Sequence, residues 1–295
     1  MSSFCRTGRK VVEGRKSLAA CVAAALLVAA VGARASTVSV NTGSLGSAAN
    51  GTNGDAVTLG PGAINSGGDQ SAVYPGVTSA NTVIPTFQSA LNPPAASPFS
   101  VEFWARPTAS DNDDAPVSNR VASGDRSGWV FFQRAAATGW NFRMYNGTGS
   151  ALGWDLTGGT ANLNEWSHVV ATWNGSAAQL YVNGQLADAT NESALNGVYN
   201  ASNAAPFIVA STDTGSPYTG SVDEVAFYGA ALTPAQVLNH FTTATATPGA
   251  YQALVRTDGA LLQLSNGAVP EPSALALLGA GAALLLRRRG ASRRA

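Results

Sequence analysis

The chain has 295 residues, two cysteines, and 17 basic against 17 acidic side chains. The charge is unevenly placed: residues 36–272 hold six arginines, no lysine and 16 acidic residues, a net charge of about −10. So acidic a stretch excludes nucleic acid as a partner and is repelled by an anionic membrane surface.

Residues 1–16 carry five basic side chains, Leu18 to Val31 is almost wholly apolar, and Ala33-Arg34-Ala35 supplies the small residues of a cleavage site. That order describes a secretory signal peptide, 1–35, cut by signal peptidase after Ala35. LAAC at 18–21 is a poor lipoprotein signal, because the apolar run follows Cys21 instead of preceding it. Cys5 and Cys21 both leave with this segment, so the exported chain has no disulfide and no thiolate metal site.

Residues 36–80 are rich in Gly, Ser, Thr, Asn and Ala and read as loops and weak strands that add little to a core. The pattern changes at PFSVEFWARP, 98–107. There Phe99, Val101, Phe103 and Ala105 alternate with Ser100, Glu102, Trp104 and Arg106, the period of a strand. Similar runs at 128–134, 139–146, 165–174, 178–189, 206–211 and 220–229 give an all-β chain, folded as a two-sheet antiparallel sandwich. Asn183-Gly184 is a hairpin signal, since a type I′ turn needs positive φ at both central residues. One short helix is expected near 233–243, with Thr233 as N-cap, Pro234 at the first helical position, Leu232 stapled to Val237, and Val237, Leu238 and Phe241 on its apolar face.

The last element is Val269-Pro270-Glu271-Pro272, an apolar run from Ala274 to Leu286, then Arg287, Arg288 and Arg289. Thirteen apolar residues fall short of the roughly 20 that a permanent spanning helix needs. The arginines would hold the tail on the cytoplasmic side and leave everything before Ala274 outside.

This order strongly resembles the PEP-CTERM sorting signal of Gram-negative bacteria, here 269–295. The resemblance implies an address: an exosortase recognises the Pro-Glu-Pro and removes the short transmembrane helix 274–286. The precursor thus passes transiently through the inner membrane, and the product is secreted or held at the cell surface or in exopolysaccharide. An ordinary short tail anchor is the alternative.

FSVEFWARP, EWSHVVATWNGSAAQLYVNGQLA and TGSVDEVAFYGAALTPAQVLNHF closely resemble, in that order, the LamG-like jelly-roll domain of the concanavalin A-like lectin and glucanase superfamily. The domain is expected over 36–268, best matched over 59–243. Its usual opening strand has no counterpart after Ser36, yet YQALVRTDGALLQLSN, 251–266, is similar to it. Ala260 to Leu264 is therefore expected to pair into the sheet beside the N-terminal segment.

Catalytic signals are weak. Glucanases of the resembled superfamily use E-x-D-x-E or a similar run, because alternate strand residues share a face. Here Asp223 and Glu224 are adjacent and should point to opposite faces, and Glu102 stands alone. His168 reads as a packed strand residue and His240 as a helix-end side chain, and no nucleophile or metal motif accompanies them. No catalytic residue and no required cofactor is expected.

Calcium is the one metal worth weighing, since it takes six to eight oxygens. Asp111, Asp113 and Asp114 form one acidic loop; Asp188, Asn191 and Glu192 form a thinner one. For a sugar, Trp154 and Tyr218 are the candidate exposed aromatics, the other tryptophans reading as core. The expected function is a non-catalytic surface or matrix protein that binds extracellular carbohydrate or mediates adhesion. The alternatives are a scaffold acting through matrix proteins and, less favoured, a glycoside hydrolase or lyase.

Overall fold

The computed structural model describes residues 38–64, 68–109, 113–134 and 139–266. The expected signal peptide 1–35, Asp111, and the expected sorting segment 269–295 with its 274–286 run lie outside these residues. Sixteen strands follow one another: β1 (Val38–Asn41), β2 (Gly51–Asn53), β3 (Thr58–Pro61), β4 (Gln70–Pro75), β5 (Thr82–Ile84), β6 (Phe99–Pro107), β7 (Val117–Val121) and β8 (Ser127–Gln133). The second half comprises β9 (Trp140–Tyr145), β10 (Leu152–Gly158), β11 (Ser167–Trp173), β12 (Ala178–Val182), β13 (Gln185–Asp188), β14 (Phe207–Val209), β15 (Thr219–Tyr228) and β16 (Ala260–Ser265). Two helices, Pro234–Ala246 and Pro248–Thr257, stand between β15 and β16.

Pairing between these strands is antiparallel throughout and builds two layers. One runs β10-β9-β8-β7-β14-β5-β2-β1, the other β13-β12-β11-β6-β15. The free edge of β15 is shared: its first half pairs with β4, which carries β3, and its second half with β16. β16 also pairs with β1, through Val40↔Ser265 and Asn41↔Leu264, and so joins the layers.

The alternation in β6 shows how the core forms. Phe99, Val101, Phe103 and Ala105 are fully buried between the layers. Phe99 stacks on Phe227 of β15 at 5.6 Å, and Phe103 meets Phe131 of β8 edge-on at 4.9 Å. Trp129 of β8 packs against Phe207 of β14 at 5.7 Å. Offset and edge-on ring pairs add stabilisation beyond the area they bury.

The opposite face of β6 is buried as well, because both helices cover it. Trp104, Val170, Tyr181 and Tyr228 form a second cluster with Val237, Ala244, Tyr251 and Val255. The first helix starts as its sequence implies: Thr233 and Gln236 make a reciprocal capping box, with Pro234 in the first turn. Its buried face, however, is Val237, His240 and Ala244, while Leu238 is exposed.

The early segment contributes more than its composition suggests. Tyr74 and Ala72 of β4 are buried core residues, and the Tyr74 hydroxyl is 2.8 Å from Thr82 Oγ1. In the C-terminal segment, 260–265 is a strand, as expected, but 248–257 is helical. Asn183 and Gly184 make the expected turn, with φ of 51° and 75°.

The outermost amides of β10 are closed by side chains. Asp155 N–H donates to Asn191 Oδ1 at 3.1 Å and Thr157 N–H to Asp188 Oδ2 at 2.9 Å. Asp188 and Asn191, weighed as calcium ligands, thus cap a sheet edge against pairing with another chain.

Candidate functional site

The two histidines converge on one carboxylate. Glu102 of β6 is fully buried and accepts from four groups: His168 Nε2 at 2.7 Å, His240 Nδ1 at 2.8 Å, Tyr228 OH at 2.7 Å and Tyr251 OH at 2.6 Å. His240 Nε2 reaches Asp258 Oδ2 at 2.8 Å. Burial disfavours the Glu102 charge, yet the His240 charge and the histidine hydrogen bonds outweigh it and hold this carboxyl well below its usual range. Against the same burial, Glu102 lifts His240 to about 9. His240 is therefore a buried ionic partner rather than a helix-end side chain, as its spacing from Val237 and Ala244 signals. Fully covered, this group ties the helices to the sheet.

Asp223 and Glu224 do not point to opposite faces. The pairing of β15 with β6 slips between Asp223 and Ala226, and Glu224 takes a φ of 48°. This bulge breaks the alternation. Oxygens of Asp69, Asp223 and Glu224 come within 4.8 Å of one another, where β4 gives way to β16 along β15. Asp223 accepts from the amides of Ala63 at 2.8 Å and Glu224 at 3.0 Å. Glu224 accepts from Gln252 at 2.7 Å and Gln263 at 3.4 Å.

Burial, with the neighbouring charges of Glu224 and Asp69, raises Asp223 well above its ordinary range. Glu224 is raised by burial to about 7. The all-oxygen donor set of Asp69, Asp223 and Glu224 fits a hard cation such as calcium. It is the one such acidic group among the described residues.

A pH dependence follows. An acid whose folded value is raised favours the folded state most when protonated, so the Glu224 contribution is complete below its ordinary 4.5 and is lost as pH rises toward about 7. In calcium-free buffer, the urea midpoint of the wild type should fall through that window, and that of Glu224→Gln should fall less. Parallel curves would contradict this assignment.

The acidic loop holds no comparable cluster among its described members. Asp113 pairs with Arg134. Asp114 is buried, and its charge raises the Tyr218 hydroxyl further after burial itself. Trp154 and Tyr218 are both buried and offer no face to a sugar. Trp154 Nε1 donates to Gly197 O at 2.7 Å, and its ring packs on Trp173 at 5.7 Å. Tyr218 lies against the core where its loop enters β15. The short GWDL segment favours exposure of Trp154 and the Pro/Gly-flanked loop that of Tyr218, but both rings pack inside the core cluster.

Sequence reasoning missed a hollow on the outer side of the first layer, away from the helices. It has a volume of about 590 Å3, within the usual range for ligand sites. Val83 of β5 and Ile208 of β14 pair in register and form its floor with Pro206. Thr78, Asn81 and the loop Ser211 to Gly215 form its rim.

Arg120 of β7 holds that loop from behind. It donates to Tyr145 OH at 2.7 Å, Thr212 Oγ1 at 3.1 Å and Thr214 Oγ1 at 3.4 Å, and lies 3.5 Å from Asp213 Oδ1. Asp213 Oδ2 also accepts from Ala122 N–H at 2.7 Å. Of the six arginines in 36–272, Arg120, Arg126, Arg134 and Arg143 lie over Phe132 or Tyr145 on this side. The sequence signal was present in the STDTG run of 211–215, but nothing local revealed that a buried arginine organises it.

Residues 75–238 match the model of a family described as the concanavalin A-like lectin/glucanases superfamily, and residues 268–289 match the PEP-CTERM protein-sorting motif. No curated protein matches the chain. Among solved structures, the binding domain of Paraclostridial Mosquitocidal Protein 1 is 18% identical with a TM-score of 0.50, over 70% of this chain and 52% of that one. The botulinum neurotoxin serotype G binding domain is 15% identical with a TM-score of 0.52, over 71% of this chain and 51% of that one. The chain thus spans about half the length of each, and the likeness is one of fold.

Proposed function

This chain belongs to the concanavalin A-like lectin/glucanases superfamily and carries a PEP-CTERM sorting motif; on that premise we propose that it is an exported, non-catalytic protein whose sandwich binds extracellular carbohydrate. The observation that carries this reading is the hollow between β5, β14 and the 211–215 loop. An aliphatic floor suits the C–H face of a sugar ring, and a rim of hydroxyls and an amide suits its hydroxyls. The loop is held by Arg120, so little ordering cost falls on binding.

In this reading residues 1–35 are cut by signal peptidase and an exosortase acts on Val269 to Pro272. The product goes to the surface or extracellular polymer of a Gram-negative bacterium. Hydrolysis is disfavoured because the hollow has one carboxylate among its lining residues, Asp213, while the converging carboxylates Asp223 and Glu224 are buried elsewhere. Calcium, if bound, has a structural place at Asp69, Asp223 and Glu224 and does not touch the sugar.

Co-sedimentation of the exported domain, 36–266, with insoluble extracellular polysaccharides tests the reading. Saturable binding that survives a chelator is expected. Absence of binding to every polymer, beside a folded domain, would move the assignment to a scaffold acting through protein contacts.

A further inference from the structure

The hollow also carries information on ligand charge. Asp213 is its charged lining residue, and among the described residues no basic side chain lines it. Arg120 is 7% exposed, with its nitrogens turned to Tyr145, Thr212, Thr214 and Asp213.

The surrounding arginines each have one nitrogen engaged. Arg134 is paired with Asp113, and Arg143 Nε lies 3.2 Å from Asp155 Oδ2. Arg126 Nε donates to Ala122 O at 3.1 Å, with its guanidinium over Tyr145. Three of the four arginines on this side are thus matched by aspartates, in a segment of net charge about −10.

An arginine site for a uronate or sulfate would keep its guanidinium open for a bidentate contact with the anion. Here the Arg120 guanidinium is spent on Asp213 and three hydroxyls, and no arginine is among the residues that line the hollow. Apart from the Asp213 carboxylate, the lining is hydroxyl, amide and aliphatic. A polyanion in the hollow would meet Asp213, with no basic residue in the lining to compensate it.

We infer that the ligand of this hollow is an uncharged, hydroxyl-rich polysaccharide, not a polyuronate or a sulfated glycan. The inference rests on the carbohydrate reading above and adds the class of polymer. Binding then depends on short-range hydrogen bonds and aliphatic contact, so it is insensitive to salt. Attraction between an arginine face and a polyanion would instead weaken as the screening length shrinks from about 10 Å at 0.1 M salt to about 3 Å at 1 M.

Affinity electrophoresis of the 36–266 domain tests this, using gels that contain a neutral glucan, a neutral mannan, alginate, or a sulfated galactan, each at low and high salt. The expected result is retardation by a neutral polymer, unchanged by salt, with none by alginate or the sulfated gel. Thr78→Trp, on an exposed rim residue, should fill the mouth of the hollow without touching the core and weaken retardation about tenfold or more. Asn81→Ala should weaken it less.

Retardation by the anionic gels that disappears at high salt would overturn the neutral-polymer inference while leaving carbohydrate binding intact. Retardation by neutral gels that Thr78→Trp leaves unchanged would overturn the hollow as the site. No retardation in any gel would overturn the carbohydrate reading itself.

Discussion

Replacing Glu102 by alanine should cost about 3–5 kcal/mol of stability, the range seen when one partner of a buried ion pair is removed. The carboxylate is the shared acceptor for His168, His240, Tyr228 and Tyr251, all buried. Its loss strands several donors where water does not reach, and each buried unsatisfied group costs about 1–3 kcal/mol. For a domain of this size, such a loss lowers the melting temperature by on the order of 10 °C.

The substitution should also change the pH profile. His240 contributes stability in full below its ordinary 6.5 and loses it as pH rises toward about 9. Glu102, held low, contributes above its ordinary 4.5 and loses it as pH falls further. In Glu102→Gln, which keeps the volume but not the charge, the alkaline loss should move to lower pH. Urea unfolding from about pH 3 to about pH 10 reads both effects. A Glu102→Ala midpoint equal to the wild type would show that the network contributes nothing net.

A chain ended after Asp258 should fail to fold, while one ended after Asn266 should unfold cooperatively. The difference is β16, which buries Leu262 and Leu264 and pairs with β15 on one side and β1 on the other. Removing two core leucines and opening two strand edges costs on the order of 5 kcal/mol or more, comparable to the whole stability of a typical domain. The family match at 75–238 stops short of β16 and starts after β1, so a fragment cut to those limits should not fold either. Circular dichroism and one-dimensional NMR of the truncations check this. A well-dispersed spectrum from the chain ended at Asp258 would contradict it.

The sandwich was legible in the sequence because its central strands alternate strictly. Phe99 to Ala105 announces both the strand and its core face, and Thr233-Pro234 announces a helix start. The 36–80 segment hid its strands because small residues carry little periodic signal, and Tyr74 was an isolated clue. The functional features were less legible because they depend on departures from local rules. The bulge at Glu224 turns two adjacent carboxylates together, and strand alternation alone predicts the reverse. Ile208 and Val83 meet only through the pairing of β14 with β5, about 125 residues apart in the chain. Trp154 and Tyr218 were judged from flanking turn residues, which report chain direction and not what lies across a ring.

The most direct test of the carbohydrate-binding account is amide hydrogen exchange on the 36–266 domain, with and without the neutral polysaccharide that retards it most. Slower exchange confined to 78–83 and 206–215 is the predicted result. Protection elsewhere on the sandwich, with those two segments unchanged, would contradict the assignment of the hollow as the binding site.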